Sequence, residues 1–189
     1  MKKLTIVIPN KLGQSPVLTV STLSRQTFTD FDIIIINDLD NNANIARNAG
    51  FKMVKTPYIL FSDNDIDWSP DALQKMFDCL EADKGISYAY GAYLLNGKIW
   101  CNKEWDPKEL KRRNFVSTMT MVRTGHHPGF DENLKRLQDW DVWLSMLKQG
   151  KKGKYVGKQI FSTPVRDGIT RNSVSWDQAL AAIKSKHNI

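Results

Sequence analysis

Three short apolar runs in the first third of the chain alternate with two segments that have helical spacing. The runs are residues 4–8, 31–36 and 58–61, and the helical segments are residues 15–25 and 42–49. Apolar runs of this length without polar alternation are typical of parallel strands buried on both faces. The pattern therefore predicts a strand-helix-strand-helix-strand unit with a parallel sheet and right-handed crossovers.

The second half of the chain has a different pattern, in which strands and helices no longer alternate. Ser69-Pro70-Asp71 predicts a helix start, with a capping residue, a proline at the first helical position and an early acid. Asn96-Gly97 predicts a hairpin turn. The other elements expected are strands over 86–95, 98–101, 115–122 and 154–161, and helices over 138–148 and 174–184.

Length and composition agree with one globular domain over residues 1–189. Hydrophobic residues make up 41% of the chain and charged residues 25%, which excludes a disordered tail, a collagen-like repeat and a coiled-coil rod. The predicted fold is α/β and Rossmann-like, with a mixed, mainly parallel sheet flanked by helices.

The charge balance favours anionic partners. Lys and Arg number 27 against 20 Asp and Glu, a net charge of +7. Such a balance fits nucleic acid, an anionic membrane surface or a phosphorylated small molecule, without choosing among them. Since no apolar run approaches the ~18 residues of a membrane span, membrane contact is expected to be peripheral.

The two cysteines, Cys79 and Cys101, lack zinc-ligand spacing and predict a reducing, cytoplasmic location.

Polar residues follow each of the three apolar runs. They are Pro9-Asn10, Asn37-Asp38 and Asp63-Asn64-Asp65, with Asp67 two residues further on. In an open α/β sheet, ligands bind beyond the carboxyl ends of the strands. Carboxylates at alternate positions suit a hard cation such as Mg or Mn, and the alternative is an Asx-rich turn between a strand and a helix.

A second acidic group surrounds the start of the helix predicted over residues 138–148. It consists of Asp131, Glu132, Asp139 and Asp141. Asp139 falls in the first turn, where the helix dipole stabilises a carboxylate. Helix capping is therefore an alternative to a catalytic role for Asp139.

Taken together and in order, these segments resemble the family 2 glycosyltransferases of the GT-A fold. The resemblance covers roughly residues 3–148, and its specificity comes from the ordered set. The matching segments are Ile6-Val7-Ile8-Pro9-Asn10, Gln26-Thr27, Ile35-Ile36-Asn37-Asp38, Ala46-Arg47-Asn48-Ala49-Gly50, Phe61-Ser62-Asp63-Asn64-Asp65, Gly129-Phe130-Asp131-Glu132 and Gln138-Asp139-Trp140-Asp141-Val142-Trp143.

The resemblance implies metal-assisted, inverting transfer of a sugar from a nucleotide diphosphate sugar to a hydroxyl-bearing acceptor, such as a glycan. It assigns Asp38 to the base, Asp63 to the ribose, Asp65 to a Mn or Mg ion, and Asp139 to the role of general base. The donor half would span about residues 1–100 and the acceptor half about 101–189. The full donor set is Pro9, Asn10, Asp38, Arg47, Asp63, Asn64 and Asp65.

The chain departs from the family pattern in three places. The acidic doublet after the second strand is Asn37-Asp38 here. Gln138 stands where the family usually has a glutamate beside the base, and the arm over residues 164–172 lacks the histidine that often closes over the diphosphate. Arg166 and Arg171 are the candidates for closing that arm as a lid. The candidates for the acceptor site are Trp68, Trp100, Trp105 and Glu132.

Two other functions are compatible with parts of the sequence. A sugar nucleotidyltransferase would need a glycine-rich basic loop after the first strand, where residues 10–14 offer one glycine and one lysine. A basic nucleic-acid-binding domain would need a recognition pattern, and no helix-turn-helix, zinc-finger or aromatic RNP pattern is present. We therefore expect no nucleic-acid partner.

Overall fold

Eight strands form one mixed sheet in the computed structural model, which describes residues 2–38, 42–163 and 174–189. The strands are β1 (Leu4–Lys11), β2 (Phe31–Asp38), β3 (Tyr58–Phe61), β4 (Asp67–Trp68), β5 (Tyr88–Leu95), β6 (Lys98–Trp100), β7 (Met121–Arg123) and β8 (Gly153–Thr163). The helices in the described ranges are α1 (Val17–Leu23), α2 (Ala43–Phe51), α3 (Ala72–Ala82), α4 (Pro107–Arg112), α5 (Gln138–Lys148) and α6 (Trp176–His187).

The order of the strands confirms the predicted mixed α/β fold. It is β2-β1-β3-β7-β5-β8-β4, with β6 paired to β5. β1 is parallel to both β2 and β3, and Ile6 lies opposite Ile33 and Leu60. β7 is antiparallel to β3 and β5, whereas β8 is parallel to β5 and antiparallel to β4. The three parallel strands therefore end at one edge of the sheet.

The core lies on both faces of the sheet. Alternate residues of β1 enter different clusters, with Ile6 and Ile8 on one face and Val7 on the other. On the Val7 face α2 approaches so closely that a Cβ at Gly50 would lie 2.4 Å from Val7 Cγ1. The prediction that β2 is buried on both faces is wrong, because β2 is an edge strand and Ile35 is 44% exposed.

Two predicted boundaries are corrected by long-range hydrogen bonds. Helix α3 begins after Asp71 rather than at Ser69, because Gln26 accepts from the Leu73 N–H and donates to the Ser69 carbonyl, which supplies the cap from another part of the chain. The strand predicted over 115–122 is limited to Met121–Arg123. The residues before it bond to side chains of α5 instead of to a neighbouring strand.

Other elements match the prediction closely. Asn96 and Gly97 both have positive φ, at 48° and 72°, as a tight hairpin turn requires. Helix α5 has the predicted bounds, and Trp140 and Trp143 are buried on it. The described residues contain no helix that is long and apolar enough to cross a membrane.

Candidate functional site

Side-chain amides form a cluster where β1 and β3 end. Asn64 Nδ2 donates to Asn10 Oδ1 at 2.9 Å and to Gln14 Oε1 at 3.0 Å, and Asn10 Nδ2 lies 3.5 Å from Asn37 Oδ1. Asn10 and Asn64 are buried, whereas Asn37 and Gln14 are exposed. The structure thus brings together Asn10 and Asn64, two residues predicted to bind the nucleotide sugar. It adds Gln14, which the sequence analysis missed. Pro9 is buried within β1 and presents no polar side chain here.

Asp38 is buried at the end of β2 and helps to start the next helix. Its Oδ1 accepts from the Asn42 N–H at 2.8 Å, and Asn42 in turn caps α2 through the Asn44 N–H. A carboxylate near the amino end of a helix is stabilised by the helix dipole. Asp38 therefore has a structural role at the same edge of the sheet as the amide cluster.

Arg47 and Asp63 form an ion pair beside this cluster. Arg47 Nη2 lies 2.8 Å from Asp63 Oδ1, and the Arg47 side chain is 5% exposed against 42% for Asp63. Arg47 also donates to Asn44 Oδ1 at 3.2 Å and lies over the Phe130 ring at 5.2 Å. Its buried Nε has no hydrogen-bond partner. Two residues that were predicted separately for the nucleotide-sugar site are thus in contact, and the pair orients a carboxylate that solvent can reach.

The remaining carboxylates that follow the third strand differ in exposure. Asp65 is half-buried, and Asp67 is exposed in β4. Within residues 2–38, 42–163 and 174–189, no group of three His, Cys, Asp or Glu side chains converges as a self-sufficient metal site. A cation here would therefore need ligands from elsewhere.

Asparagines of α2 hold residues 130–134 against the site. Asn42 and Asn44 donate to the carbonyls of Glu132, Asp131 and Leu134 at 2.9 to 3.0 Å. Asn48 bonds to both the N–H and the carbonyl of Phe130, and its Nδ2 donates to Glu132 Oε1 at 2.9 Å. Asparagine is a poor helix former. Three asparagines in and just before a nine-residue helix therefore indicate, already in the sequence, that their side chains make specific hydrogen bonds.

Asp139 lies in the first turn of α5 with both carboxylate oxygens bonded. Oδ1 accepts from the Trp140 N–H at 2.8 Å, and Oδ2 accepts from Asn114 Nδ2 at 2.8 Å. Burial raises the pKa of the Asp139 carboxyl, while these two donors and the Arg47 charge act to lower it. The N-cap position of α5 is Leu137, with φ of 61°, but Asp139 lies in the first turn and accepts a first-turn N–H, so the structure does not remove the helix-capping alternative for Asp139.

The neighbouring Asp141 has a different environment. It is 3% exposed, and its Oδ1 lies 2.9 Å from Lys186 Nζ and 2.7 Å from His187 Nε2, both on α6. Lys186 also pairs with Asp131 at 2.6 Å. Asp141 therefore anchors α6 on α5.

The candidate acceptor tryptophans differ in exposure. Trp68 is 2% exposed and donates from Nε1 to Ser62 Oγ at 3.1 Å, so the prediction that it exposes a face to a sugar is wrong. Trp105 is half-buried and donates to the Tyr88 hydroxyl, whereas Trp100 is 50% exposed on β6. Arg166 and Arg171 lie outside the described residues, and the lid stays a prediction.

The comparisons with known proteins bear on the family and the fold. The model of the family described as "Glycosyl transferase family 2" matches residues 40–133. A Haemophilus influenzae protein described as an uncharacterized glycosyltransferase is 22% identical over 184 residues, covering 77% of this chain and 62% of that protein. The Staphylococcus aureus poly(ribitol-phosphate) beta-N-acetylglucosaminyltransferase TarP is 27% identical over 127 residues, covering 52% of this chain and 38% of TarP.

Solved structures share the fold. S. aureus TarS in complex with UDP-GlcNAc superposes with a TM-score of 0.77 and 15% identity, over 98% of this chain and 66% of that one. Glucosyl-3-phosphoglycerate synthase from Mycobacterium tuberculosis, in complex with Mn²⁺, UDP and phosphoglyceric acid, gives a TM-score of 0.60 and 11% identity, over 100% and 79% of the two chains. The chain has the GT-A fold. It spans 62% and 38% of the length of the two relatives named above, less than two thirds of either. It belongs to glycosyltransferase family 2.

Proposed function

We propose that this domain transfers a sugar from a nucleoside diphosphate sugar to an acceptor hydroxyl, with inversion at the anomeric carbon. The observation that carries the proposal is that one buried arginine, Arg47, acts on two carboxylates. It pairs with Asp63 at 2.8 Å, and its charge lowers the pKa of Asp139, which burial raises. The charge of Arg47 thus acts on both the proposed donor-binding carboxylate and the candidate base, which supports a single site for donor and acceptor.

The donor would lie along the ends of the three parallel strands. Asn10, Asn64 and Gln14 offer amide groups that can both donate and accept, which suits a nucleobase. Asp38 would contact the same base, and Asp63, held by Arg47, would accept from the ribose hydroxyls. The UDP-GlcNAc complex of TarS, a protein of the same fold, supports a nucleotide-sugar donor.

Asp65 is the proposed protein ligand of a Mg or Mn ion. Mg is usually bound through one or two carboxylates together with substrate phosphates rather than by an all-protein cage. Asp63 and Asp65 fit a cation of that kind, since the described residues contain no group of three acids, histidines or cysteines that could hold a metal ion alone. When bound, the cation would neutralise charge on the departing diphosphate.

Asp139 would take the proton of the acceptor hydroxyl as its oxygen attacks the anomeric carbon from the opposite face. The carboxylate is recessed. Burial is the largest cause of the raised pKa of Tyr93 and of Cys101, and the charge of Asp139 contributes to raising both. Trp100 adjoins Cys101 and offers an exposed aromatic face on which an acceptor sugar could stack. Trp105 and Glu132 remain secondary candidates for the acceptor site.

Thermal unfolding with a panel of nucleotide sugars tests the donor and the cation together. A donor at 100 times its dissociation constant should add about 2.7 kcal/mol of stability, and we expect this gain to need Mn²⁺ or Mg²⁺. Asp65→Asn should remove the cation-dependent part. Asp67→Asn, at an exposed carboxylate two residues away, is the matched control and should behave as wild type.

Two outcomes would contradict the proposal. Equal stabilisation in EDTA would overturn the metal role of Asp65. Stabilisation by none of the nucleotide sugars, with cation present, would overturn the donor assignment. A donor that binds should then be consumed in the presence of a hydroxyl acceptor, with the product anomer read by NMR.

A further inference from the structure

Asn114 connects the segment between α4 and β7 to the candidate base. Its Oδ1 accepts from the Val116 N–H at 3.1 Å, and its Nδ2 donates to Asp139 Oδ2 at 2.8 Å. The amide has one accepting and one donating end. Because the Val116 N–H occupies the accepting end, the donating end faces the carboxylate.

The chain on both sides of Asn114 is fastened to α5, once through α4 and once through the segment itself. Trp140 Nε1 donates to the Leu110 carbonyl at 2.7 Å, and Trp143 Nε1 donates to the Val116 carbonyl at 2.9 Å. Both indoles are buried. Asn114 and Asp139 are therefore held at a fixed separation by the core rather than by their own contact alone.

The other oxygen of Asp139 is held by its own helix. The Trp140 N–H donates to Oδ1, so the two bonds together fix the plane of the carboxylate. The titratable or charged groups that influence Asp139 from other elements are Arg47, Tyr93 and Cys101. Asn114 adds a neutral donor to this environment, in which burial disfavours the charged carboxylate.

We infer that Asn114 is a positioning residue for Asp139, whose amide keeps the carboxylate ionised and aimed at the acceptor hydroxyl. The inference rests on the proposed function, since it takes Asp139 as the base. A donor that bonds to the charged form favours that form. Loss of the donor should therefore raise the pKa of Asp139 and move the acid limb of kcat to higher pH.

Asn114→Asp is the sharpest variant. It keeps an oxygen for the Val116 N–H and replaces the donor to Asp139 by a second carboxylate. We expect kcat on the acid side to fall by about 10-fold or more and to recover as the pH rises, with the donor KM unchanged. Asn114→Ala should show the same direction with a smaller displacement.

Trp143→Phe is the matched control. It removes a bond that fastens the same segment, Trp143 Nε1 to the Val116 carbonyl, and leaves both bonds of Asp139 in place. We expect a lower Tm and an unmoved acid limb. If Asn114→Asp gives the same pattern as Trp143→Phe, with a loss of kcat that does not depend on pH, Asn114 is structural and the inference is overturned.

A carbon-detected NMR titration of the Asp139 carboxyl separates this inference from the proposed function. We expect its midpoint to be higher in Asn114→Asp than in wild type, in the protein without substrate. An unchanged midpoint overturns the coupling even if the enzyme transfers sugar. A wild-type protein that transfers from no donor overturns the proposed function, and the NMR midpoint then still decides whether Asn114 controls Asp139.

Discussion

The donor side and the acceptor side of the candidate site are built in different ways. On the donor side, Asn10 and Asn64 bond directly to each other from the ends of β1 and β3. On the acceptor side, Asp139 is held by its own helix and by Asn114, which the buried indoles of α5 keep in place. Sheet register therefore positions the proposed donor-binding residues, whereas core packing positions the proposed base.

This difference predicts how far the two sides can be perturbed separately. A change at a strand end should alter donor binding and leave the base intact, because the sheet continues to pair. A change beneath α5 should alter the base and leave donor binding intact. Arg47 is the exception, since it touches Asp63 and acts on Asp139.

The largest effect is expected from Asp139→Asn, which should separate the two sides completely. The amide keeps the size of the side chain and removes the proton acceptor. Transfer should fall by about 100-fold to 10,000-fold, the usual worth of general base catalysis. Donor affinity, measured by calorimetry with Mn²⁺ present, should stay within about 2-fold of wild type. A tenfold loss of affinity would require a loss of ~1.4 kcal/mol of binding free energy.

Asp141→Asn is the matched control on the same helix. Asp141 pairs with Lys186 and His187, so its loss should lower Tm by weakening the contact between α5 and α6. Its specific activity at a temperature where it is folded should match wild type. If the two variants lose activity in proportion to their stability, Asp139 is structural and the division of the site is wrong.

Arg47 offers a way to break the separation. Arg47→Met removes the partner of Asp63 and a positive charge that acts on Asp139. We expect about 10-fold to 100-fold weaker nucleotide binding, as for a charged hydrogen bond, together with an acid limb at higher pH. Arg47→Lys keeps the charge but not the planar fork, so it should weaken binding and leave the limb in place. If the acid limb of kcat moved equally in Arg47→Met and Arg47→Lys, the positive charge of Arg47 would not be what acts on Asp139.

The donor side was largely predictable because parallel strands end at one edge of a sheet. The apolar runs over 4–8, 31–36 and 58–61 were enough to predict that Asn10, Asp38 and Asp63 share that edge. The ordered motifs then predicted the fold and the family, and both are confirmed. The roles of the individual residues remain predictions.

The acceptor side was less predictable because its contacts join distant parts of the chain. Asn114 lies 25 positions before Asp139, and nothing in its local sequence indicates the bond. Trp68 was taken as exposed, but it follows β3 into β4, where Ser62 and Phe161 cover it. Side-chain hydrogen bonds to a remote backbone, such as those of Gln26 to the start of α3, also moved a helix boundary.

His127 should make the apolar cluster under Arg47 sensitive to acid. The ring packs against Phe51, Phe61 and Phe130, and burial lowers the pKa of His127 to about 3. The unfolded chain, with an ordinary pKa near 6.5, therefore binds the proton first as the pH falls. Stability present above about pH 6.5 should decline by about 2 kcal/mol by pH 5 and continue to fall toward pH 3.

The variant His127→Asn checks the source of this acid sensitivity. It can keep the acceptor for the Gly129 N–H, which His127 Nδ1 now provides, and it cannot titrate. Denaturant unfolding between pH 7 and pH 5 should show a lower stability at pH 7 and a flatter dependence on pH than wild type. An undiminished slope would mean that other groups cause the acid loss.

The smallest effect is expected where α2 meets residues 130–134, and it tests to which side that loop belongs. Asn48→Ala removes bonds to the N–H and carbonyl of Phe130 and to Glu132 Oε1. The loss should be about 1 kcal/mol of stability, because exposed parts of this network can bond to water instead. If the loop serves the acceptor, the acceptor KM should rise a few-fold while donor affinity is unchanged.

Glu132→Gln keeps an oxygen for Asn48 and removes only the charge, so a change in acceptor KM without a change in stability would assign the effect to that charge. A change in donor affinity in either variant would instead place the loop with the donor side.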